Sequence, residues 1–148
     1  MQNLKILNKK EIRNILKKLE EHFGIRKIDL DYGFLQNKEG KIFLISKDIS
    51  KLDINKLRIN SLGLYFVKLD NGIRLTIEGS QLIGNIATKN IVEISNNNIM
   101  EWLTGNDLYI KADVKDFVII KHNKDYFGCG KYKEGKILNF IPKGRRIK

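Results

Sequence analysis

Residues 117–141 read FVIIKHNKDYFGCGKYKEGKILNFI, and this stretch decides the fold of the second part of the chain. Its three apolar runs are separated by the polar turns 122–125 and 133–135. Short apolar runs that alternate with turns at a spacing of about ten residues are typical of consecutive antiparallel strands in a small barrel or meander. The stretch therefore predicts an all-strand region that leads into a basic C-terminal segment.

The residues just before this stretch predict a short helix. The asparagines 96–98 form a polar start signal, and Ile99, Trp102 and Leu103 follow it. Gly105 is placed to end the helix, since glycine adopts the left-handed backbone conformation that closes many helices. One helix is therefore expected before the strands.

The beginning of the chain predicts a longer amphipathic helix. Asn8 followed three residues later by Glu11 is a capping-box pattern. Apolar residues then recur at helical spacing as far as Phe23, and Gly24 can supply the left-handed stop. The pattern predicts a helix over residues 9–22.

Two hairpins are expected after this helix. Residues 31–46 contain two apolar runs around a turn, and residues 62–77 contain two more around the turn 70–72. The Asn-Gly pair in that second turn favours a tight hairpin, because both of its residues adopt positive φ readily. Residues 47–60 predict short helix and loop, and residues 79–87 predict a weak helix.

These elements predict an α+β protein in two parts. Residues 1–90 form an α/β domain of helix and hairpins, and residues 91–148 form a small β-barrel domain. A hydrophobic fraction of 42% in 148 residues is enough for a sizeable core without a metal or a disulfide. The boundary carries no linker rich in Gly, Ser or Pro, so the two domains are expected to pack together.

The chain is strongly basic, with 28 Lys and Arg against 17 Asp and Glu, for a net charge of +11. Residues 1–90 hold 17 basic and 10 acidic side chains, a net +7, whereas residues 111–148 hold 11 basic and 4 acidic ones, also a net +7. The positive charge is therefore densest in the last quarter of the chain. A surplus of this size is typical of proteins with a polyanionic partner such as nucleic acid.

The residue inventory excludes several kinds of chemistry. One cysteine, Cys129, and two histidines, His22 and His122, cannot build a disulfide framework or a Cys-rich or multi-His metal site. The Walker phosphate loop is absent, and Gly128-Cys129-Gly130 lacks the third glycine of a dinucleotide-binding fingerprint. The sequence therefore predicts no metal, no cofactor and no catalytic residue.

The segment around Cys129 leaves two narrower questions open. A nucleophilic pair of Cys129 and His122 would need the two side chains to meet, whereas a small buried cysteine between glycines is the more common situation. Gly128 and Gly130 either bend the strand or open it so that a nucleic-acid backbone can lie against it.

The sequence does not predict membrane attachment. No run approaches about 18 consecutive apolar residues, and the first ten residues, MQNLKILNKK, lack an apolar signal core. One cysteine in 148 residues suits a reducing compartment. A cytoplasmic protein is therefore expected.

The helix end 101–108, EWLTGNDL, and the strands 117–120 and 127–131 resemble those of the PUA domain, the small RNA-binding β-barrel. The tail 138–146, LNFIPKGRR, resembles the C-terminal end of proteins of the Nop/Sun class of RNA cytosine-5 methyltransferases. The resemblance extends from about residue 91 to the end. It implies a PUA-like barrel whose basic edge holds RNA.

Residues 42–46, 59–68 and 73–77 resemble the α/β pre-PUA half of Nip-type factors for large-subunit ribosome biogenesis. With them the resemblance covers nearly the whole chain after Tyr32. It implies a pre-PUA-like α/β domain packed on the PUA-like barrel, and either rRNA or tRNA as the partner. Ribosome-assembly or RNA-modification proteins are possible further partners.

One departure from the methyltransferases bears on activity. The resemblance implies that an RNA cytosine-5 methyltransferase uses a cofactor-binding Rossmann domain and two cysteines. The present sequence has one cysteine and no such domain, so methyl transfer by these residues alone is not expected. The chain resembles the accessory RNA-binding piece rather than an enzyme.

The candidate RNA-binding residues are basic and aromatic side chains on the predicted strands and turns of the barrel. Lysine and arginine attract phosphates, arginine can grip one bidentately, and tyrosine can stack on unpaired bases. We expect these side chains to gather on one barrel edge. The residues are Lys111, Lys121, Lys124, Tyr126, Lys131, Tyr132, Lys133, Lys143, Arg145 and Arg146.

Three arginines allow more than one role. If Arg145 and Arg146 are neighbours in a strand, they point to opposite faces, so that one contacts RNA and the other contacts the first domain. Arg74, beside the Asn-Gly turn, either extends the basic surface or is simply an exposed strand residue.

Three functions remain open on the sequence. The first is a non-catalytic RNA-binding protein that acts on rRNA in ribosome biogenesis or RNA modification. The second is an accessory subunit of an RNA cytosine-5 methyltransferase or other RNA-modifying enzyme, whose chemistry depends on a partner or on Cys129. The third is a protein-docking adaptor in ribosome assembly, in which the α/β domain binds an assembly factor or a methyltransferase domain.

Overall fold

The computed structural model describes residues 4–47 and 63–148. In this part of the chain, ten strands form two sheets of five, accompanied by three α-helices and two 3-10 turns. In chain order, the helices and strands are β1 Lys5–Ile6, α1 Lys9–Phe23, β2 Gly33–Gln36, β3 Lys41–Ile45, β4 Leu64–Leu69, β5 Ile73–Leu75, α2 Ile77–Ile83, β6 Ile91–Glu93, α3 Asn96–Leu103, β7 Leu108–Tyr109, β8 Asp116–His122, β9 Asp125–Lys133 and β10 Lys136–Asn139. The 3-10 turns are Gly84–Ile86 and Lys143–Arg145.

The two sheets follow each other along the chain. The first has the strand order β1-β2-β3-β4-β5, and all its neighbouring strands are antiparallel. The second has the order β6-β8-β9-β10-β7, curls into a half-barrel, and is antiparallel except where β6 pairs with β8. The predicted α+β class is confirmed, with a half-barrel where the sequence predicts a small barrel.

Helix α1 forms where the sequence predicts it. The Asn8 side chain accepts a hydrogen bond of 2.8 Å from the Glu11 amide, and the Glu11 carboxylate accepts one of 3.1 Å from the Asn8 amide. This capping box satisfies backbone donors that a helix start otherwise leaves free. Gly24 ends the helix with φ of 62°, in the left-handed region.

Both predicted hairpins are present. Strands β2 and β3 pair antiparallel, as do β4 and β5. Asn71 and Gly72 have φ of 47° and 138°, so the Asn-Gly turn adopts the positive φ that its sequence favours. The sequence predicts a short helix and loop for residues 47–60. All of these residues except residue 47 lie outside the described part of the chain.

The sequence patterns miss three short strands, β1, β6 and β7. Each has only two or three residues, too few for an alternating pattern. Their pairing comes from segments that are distant in the chain, as when β6 pairs with β8 and β7 with β10. Tertiary contacts therefore create these strands, not local propensity.

Strand β8 is buried on both of its faces and joins the two parts of the molecule. Phe117 and Ile119 belong to the core that α1 and the first sheet also line. Val118 and Ile120 point the other way, into a second core around Trp102. The first of these cores is therefore shared by the two parts. The domain boundary at residue 90 stays a prediction.

The two glycines that flank Cys129 have different roles. Gly128 has φ of 92°, which a residue with a side chain rarely adopts. Gly130 is approached closely by its own protein, since a Cβ there would lie 2.4 Å from Ile137 Cγ2 and 2.9 Å from Trp102 Cη2. Gly130 therefore makes room for the core, and the proposed opening toward nucleic acid is wrong at this position.

Candidate nucleic-acid interface

Four of the lysines predicted on the barrel lie toward opposite ends of strand β9. Lys124 lies at the turn before β9 and Lys133 at the far end of this strand, whose nine residues span up to about 26 Å, although Gly128 with φ of 92° interrupts the extended backbone. Lys121 lies near the first end, with its Nζ 5.9 Å from the centroid of the Tyr126 ring, and Lys111 lies near the second, beside Gly135. That these lysines form a single basic edge stays a prediction.

The C-terminal cations form a separate group in and after the 3-10 turn Lys143–Arg145. Lys143 is exposed. Arg145 donates hydrogen bonds of 2.5 Å and 2.7 Å to the two carboxylate oxygens of Glu78, a residue of α2. Arg145 thus contacts the first part of the chain from a 3-10 turn, not from the strand on which the prediction for the two arginines was based, and a carboxylate partly neutralises its charge.

Arg146 has a structural role. Its Nε donates a hydrogen bond of 3.0 Å to the Ile141 carbonyl oxygen. Its guanidinium also packs on Gly105, where an added Cβ would lie 2.4 Å from the Arg146 Nε. Replacing Arg146 would therefore disturb the fold as well as the charge, which makes it a poor probe of RNA binding.

The two tyrosines nominated for base stacking are partly buried. The Tyr126 ring packs directly on Gly84, and the Tyr132 hydroxyl accepts a hydrogen bond of 3.3 Å from the Ala112 amide. Both rings are partly covered by their own protein, and their role in base stacking stays a prediction. The exposed aromatic ring in this sheet is Tyr109, at 78% exposure, and the sequence analysis missed it.

A stripe of cations and aromatic rings crosses the junction between the two sheets. Strand register places Lys41, Lys68 and Arg74 in one row across β3, β4 and β5. The Arg74 guanidinium lies 4.4 Å from the centroid of the Phe140 ring. We call Lys41, Lys68, Arg74 and Lys131, with the rings between them, the cation stripe.

The rings connect the row on the first sheet to Lys131 on the second. The centroids of Phe140 and Phe117 are 6.1 Å apart, and the Lys131 Nζ lies 5.5 Å from the Phe117 centroid. At the other end, the Lys41 Nζ lies 5.5 Å from the centroid of Tyr65. Cations that alternate with rings are typical of surfaces that bind single-stranded nucleic acid.

Most of the charge on the cation stripe is unpaired. Within the described part of the chain, Lys68, Arg74 and Lys131 form no ion pair, and Lys41 has a contact of 3.8 Å with the exposed carboxylate of Glu39. Burial raises the pKa of the Tyr65 hydroxyl, and the positive charge of Arg74 partly opposes that rise. Within the described residues, the charge of the stripe is therefore balanced by few carboxylates.

A more balanced cleft of about 650 Å³ lies beside one end of the stripe, between α1 and the second sheet. It contains four ammonium groups and three carboxylates. These belong to Lys18, Lys89, Lys115, Lys131, Glu21, Asp113 and Asp116. The near balance of charge makes the cleft a weaker phosphate-binding candidate than the stripe.

A smaller pocket of about 300 Å³ lies where the two parts meet, and we call it the junction pocket. Arg74 forms one side, and the Arg145–Glu78 ion pair forms another. Ser80 holds this region together, because its buried hydroxyl donates to the Ile77 carbonyl at 2.6 Å and accepts from the Gly128 amide at 2.9 Å. The pocket is thus built into the contact between α2 and β9.

Cys129 is placed as a core residue. It is 4% exposed, and burial raises the pKa of its thiol to about 12. His122 Nδ1 donates a hydrogen bond of 2.9 Å to the Ile94 carbonyl oxygen, and His122 lies three residues along β8 from Ile119, which pairs with Cys129. The Cys129–His122 nucleophilic pair is therefore ruled out by burial and by position.

Of the stripe residues in the first part, Arg74 was expected as a candidate from the sequence, whereas Lys41 and Lys68 were not. A turn at residues 70–72 implies that Lys68 and Arg74 lie across from each other in the hairpin, so this pair could have been found. The contact between Arg74 and Phe140 could not, because it depends on how the two sheets pack.

Residues 89–147 match a family model described as the Methyltransferase RsmF PUA domain. This match confirms the predicted PUA domain and its association with the Nop/Sun class of methyltransferases. The resemblance of the first part to Nip-type factors stays a prediction. Among the described residues, no helix is long and apolar enough to cross a bilayer.

The chain is also similar to curated proteins named ribosomal RNA small subunit methyltransferase F. It is 25% identical over 136 residues to the one from Aeromonas salmonicida (strain A449), which covers 90% of this chain and 28% of that protein. It is 27% identical over 136 residues to the one from Aeromonas hydrophila, again 90% of this chain and 28% of that protein. The one from Vibrio vulnificus (strain YJ016) is 26% identical over 91 residues, 61% of this chain and 19% of that protein. The chain thus spans less than a third of the length of these relatives.

Proposed function

We propose that this chain is an RNA-binding module that holds rRNA for modification by a small-subunit rRNA methyltransferase of the F type. The cation stripe carries the proposal, since it offers cations and rings in alternation across both parts of the molecule. The PUA match at residues 89–147 and the names of the relatives support rRNA as the partner.

The proposed mechanism is electrostatic capture followed by stacking. Each lysine or arginine that neutralises a phosphate releases counterions. The affinity for a single strand therefore falls by about 0.7 log units per contact for each tenfold rise in salt concentration. The two partly exposed rings beside the cations, Tyr65 and Phe140, then hold unpaired bases by stacking, which accepts any base, whereas Phe117 stays buried in the core. Such a surface fixes the path of an RNA strand without reading its sequence.

Methyl transfer is not assigned to these 148 residues in this proposal. The matched region spans 28% of the Aeromonas relatives, and the chain's thiol is buried with its pKa raised to about 12. The role assigned to the chain is to bind and position the RNA, whichever polypeptide carries the catalytic domain.

The test compares two triple variants with the same loss of charge. Lys68→Ala, Arg74→Ala and Lys131→Ala together remove three stripe cations, and Lys9→Ala, Lys10→Ala and Lys17→Ala remove three exposed cations from the outer face of α1. Binding of a labelled single-stranded rRNA fragment is measured by fluorescence anisotropy over a series of salt concentrations.

We expect the stripe variant to lose more than tenfold in affinity and to lower the log–log salt slope by about 2, because three contacts are lost. The α1 variant should stay within about threefold of the parent, because unbound lysines contribute only long-range attraction. Equal losses in the two variants would show that net charge alone binds the RNA and would contradict the stripe.

A further inference from the structure

The junction pocket is larger than a phosphate contact needs, and the proposed electrostatic mechanism does not use it. Its volume of about 300 Å³ is at the lower end of the range for small-ligand sites. Aromatic and aliphatic groups of Tyr65, Phe140 and Ile77 form much of its lining. A pocket with these walls favours a flat, largely apolar group.

The pocket already stacks one planar group on an aromatic ring. The Arg74 guanidinium lies 4.4 Å from the Phe140 centroid, which is a stacking distance. Gly128 adds no side chain to the lining, and it lies closely against Ile77, since a Cβ there would lie 3.3 Å from Ile77 Cγ1. The free volume of about 300 Å³ is the space that a second flat group would occupy beside Phe140.

The polar groups of the pocket offer both donors and acceptors. Glu78 presents two carboxylate oxygens, and the Arg145 guanidinium presents N–H donors beside them. Both side chains are partly exposed, at 31% and 49%, so an incoming group can compete for their hydrogen bonds. A nucleobase carries donors and acceptors side by side on its edge, which matches this pair.

We propose that the junction pocket holds one unpaired nucleobase of the bound RNA, stacked near Phe140 and read at its edge by Glu78 and Arg145. The inference rests on the proposed function, because Arg74 belongs both to the cation stripe and to the pocket. The stripe then supplies the sequence-independent part of binding, and the pocket supplies a base preference at one position.

The first measurement is methyl NMR of the full chain with nucleoside 5′-monophosphates and with a single-stranded RNA octamer as probes. A base in the pocket would shift the methyl signals of Ile77 and Leu75 through its ring current. The methyl signals of Val118 and Ile120, which lie in the core around Trp102 and do not line the pocket, serve as the internal control.

The second measurement uses two variants and a matched control. Glu78→Gln should lower the affinity for the preferred monophosphate about tenfold and change the order of preference among the four bases. Ile77→Phe should fill the pocket and abolish the shift at Leu75. Glu101→Gln, an exposed glutamate on α3, should leave both unchanged.

Shifts at Ile77 and Leu75 in the parent, together with loss of the Leu75 shift in Ile77→Phe, would support the inference. An octamer that binds with a normal salt slope but leaves both methyl signals in place would overturn the pocket and leave the proposed function standing. Failure of both the octamer and the monophosphates to bind would overturn the two together.

Discussion

At the scale of single residues, burial decides what Cys129 can do. A thiol must lose its proton to act as a nucleophile, and burial raises the pKa of this one to about 12. The same residue type at the surface would be reactive. Burial in the core therefore prevents the one thiol of the chain from acting as a nucleophile.

Cys129→Ala tests this reading through the pH dependence of stability. The thiol has an ordinary pKa of 9.0 and a raised one in the folded state, so it binds its proton more tightly when folded. Its contribution to stability is therefore complete below about pH 9 and is lost as the pH rises toward 12.

Urea unfolding at pH 8, 9 and 10 measures this effect. The free energy of unfolding of the parent should fall more steeply above pH 9 than that of Cys129→Ala. Parallel curves for the two proteins, or rapid labelling of the native thiol at pH 8, would show that the thiol is accessible and would refute its assignment to the core.

Residue identities predict the roles of Asn8, Gly24 and Gly105, since capping and positive φ are local requirements. Residue identities do not predict which cations form an ion pair in the folded protein. Arg145 and Arg74 look equivalent in the sequence, yet one lies against Glu78 and the other over a ring. That difference depends on tertiary contacts with α2 and Phe140, which no local pattern reports.

At the scale of elements, α1 is the helix that local sequence signals predict most clearly. Its capping box, its left-handed glycine and its buried face of Ile15, Leu16, Leu19 and Phe23 all agree. The short strands β1, β6 and β7 are the opposite case, because remote partners define them. Long periodic elements can be predicted from sequence for this reason, and two-residue strands cannot.

Asn8→Ala should destabilise the protein by about 1 kcal/mol, because it removes the side-chain acceptor at the start of α1. The matched control is Asn14→Ala, at an exposed position within the same helix. It should have the opposite sign, by a few tenths of a kcal/mol, since alanine has the higher helix propensity.

Chemical denaturation monitored by circular dichroism separates the two variants. If Asn8→Ala proves as stable as the parent, the capping box contributes nothing to the folded state. If both variants lose stability equally, the effect comes from losing an amide and not from its position.

At the scale of the whole molecule, the shared core predicts one cooperative unfolding transition. Phe117 and Ile119 of the second sheet lie in the same core as α1 and the first sheet. Phe117→Ala should therefore cost about 3–5 kcal/mol and lower the stability of both sheets by the same amount.

Two probes can follow the two sheets separately. Fluorescence of Trp102, the chain's one tryptophan, reports on the second core, and amide hydrogen exchange of β3 reports on the first sheet. Coincident transitions in the parent and in Phe117→Ala are expected. A β3 that unfolds at its own midpoint would mean that the parts are energetically independent.

Strand β8, with apolar side chains on both faces, also bears on how such a module passes between proteins. A fusion protein that contained only the half-barrel would expose the apolar face of β8 that the first part of the chain covers. Such an exposed apolar surface promotes aggregation. Recombination between genes should therefore transfer the two parts of the chain together. The Aeromonas alignments, which run through 90% of the chain, agree with inheritance of both pieces together.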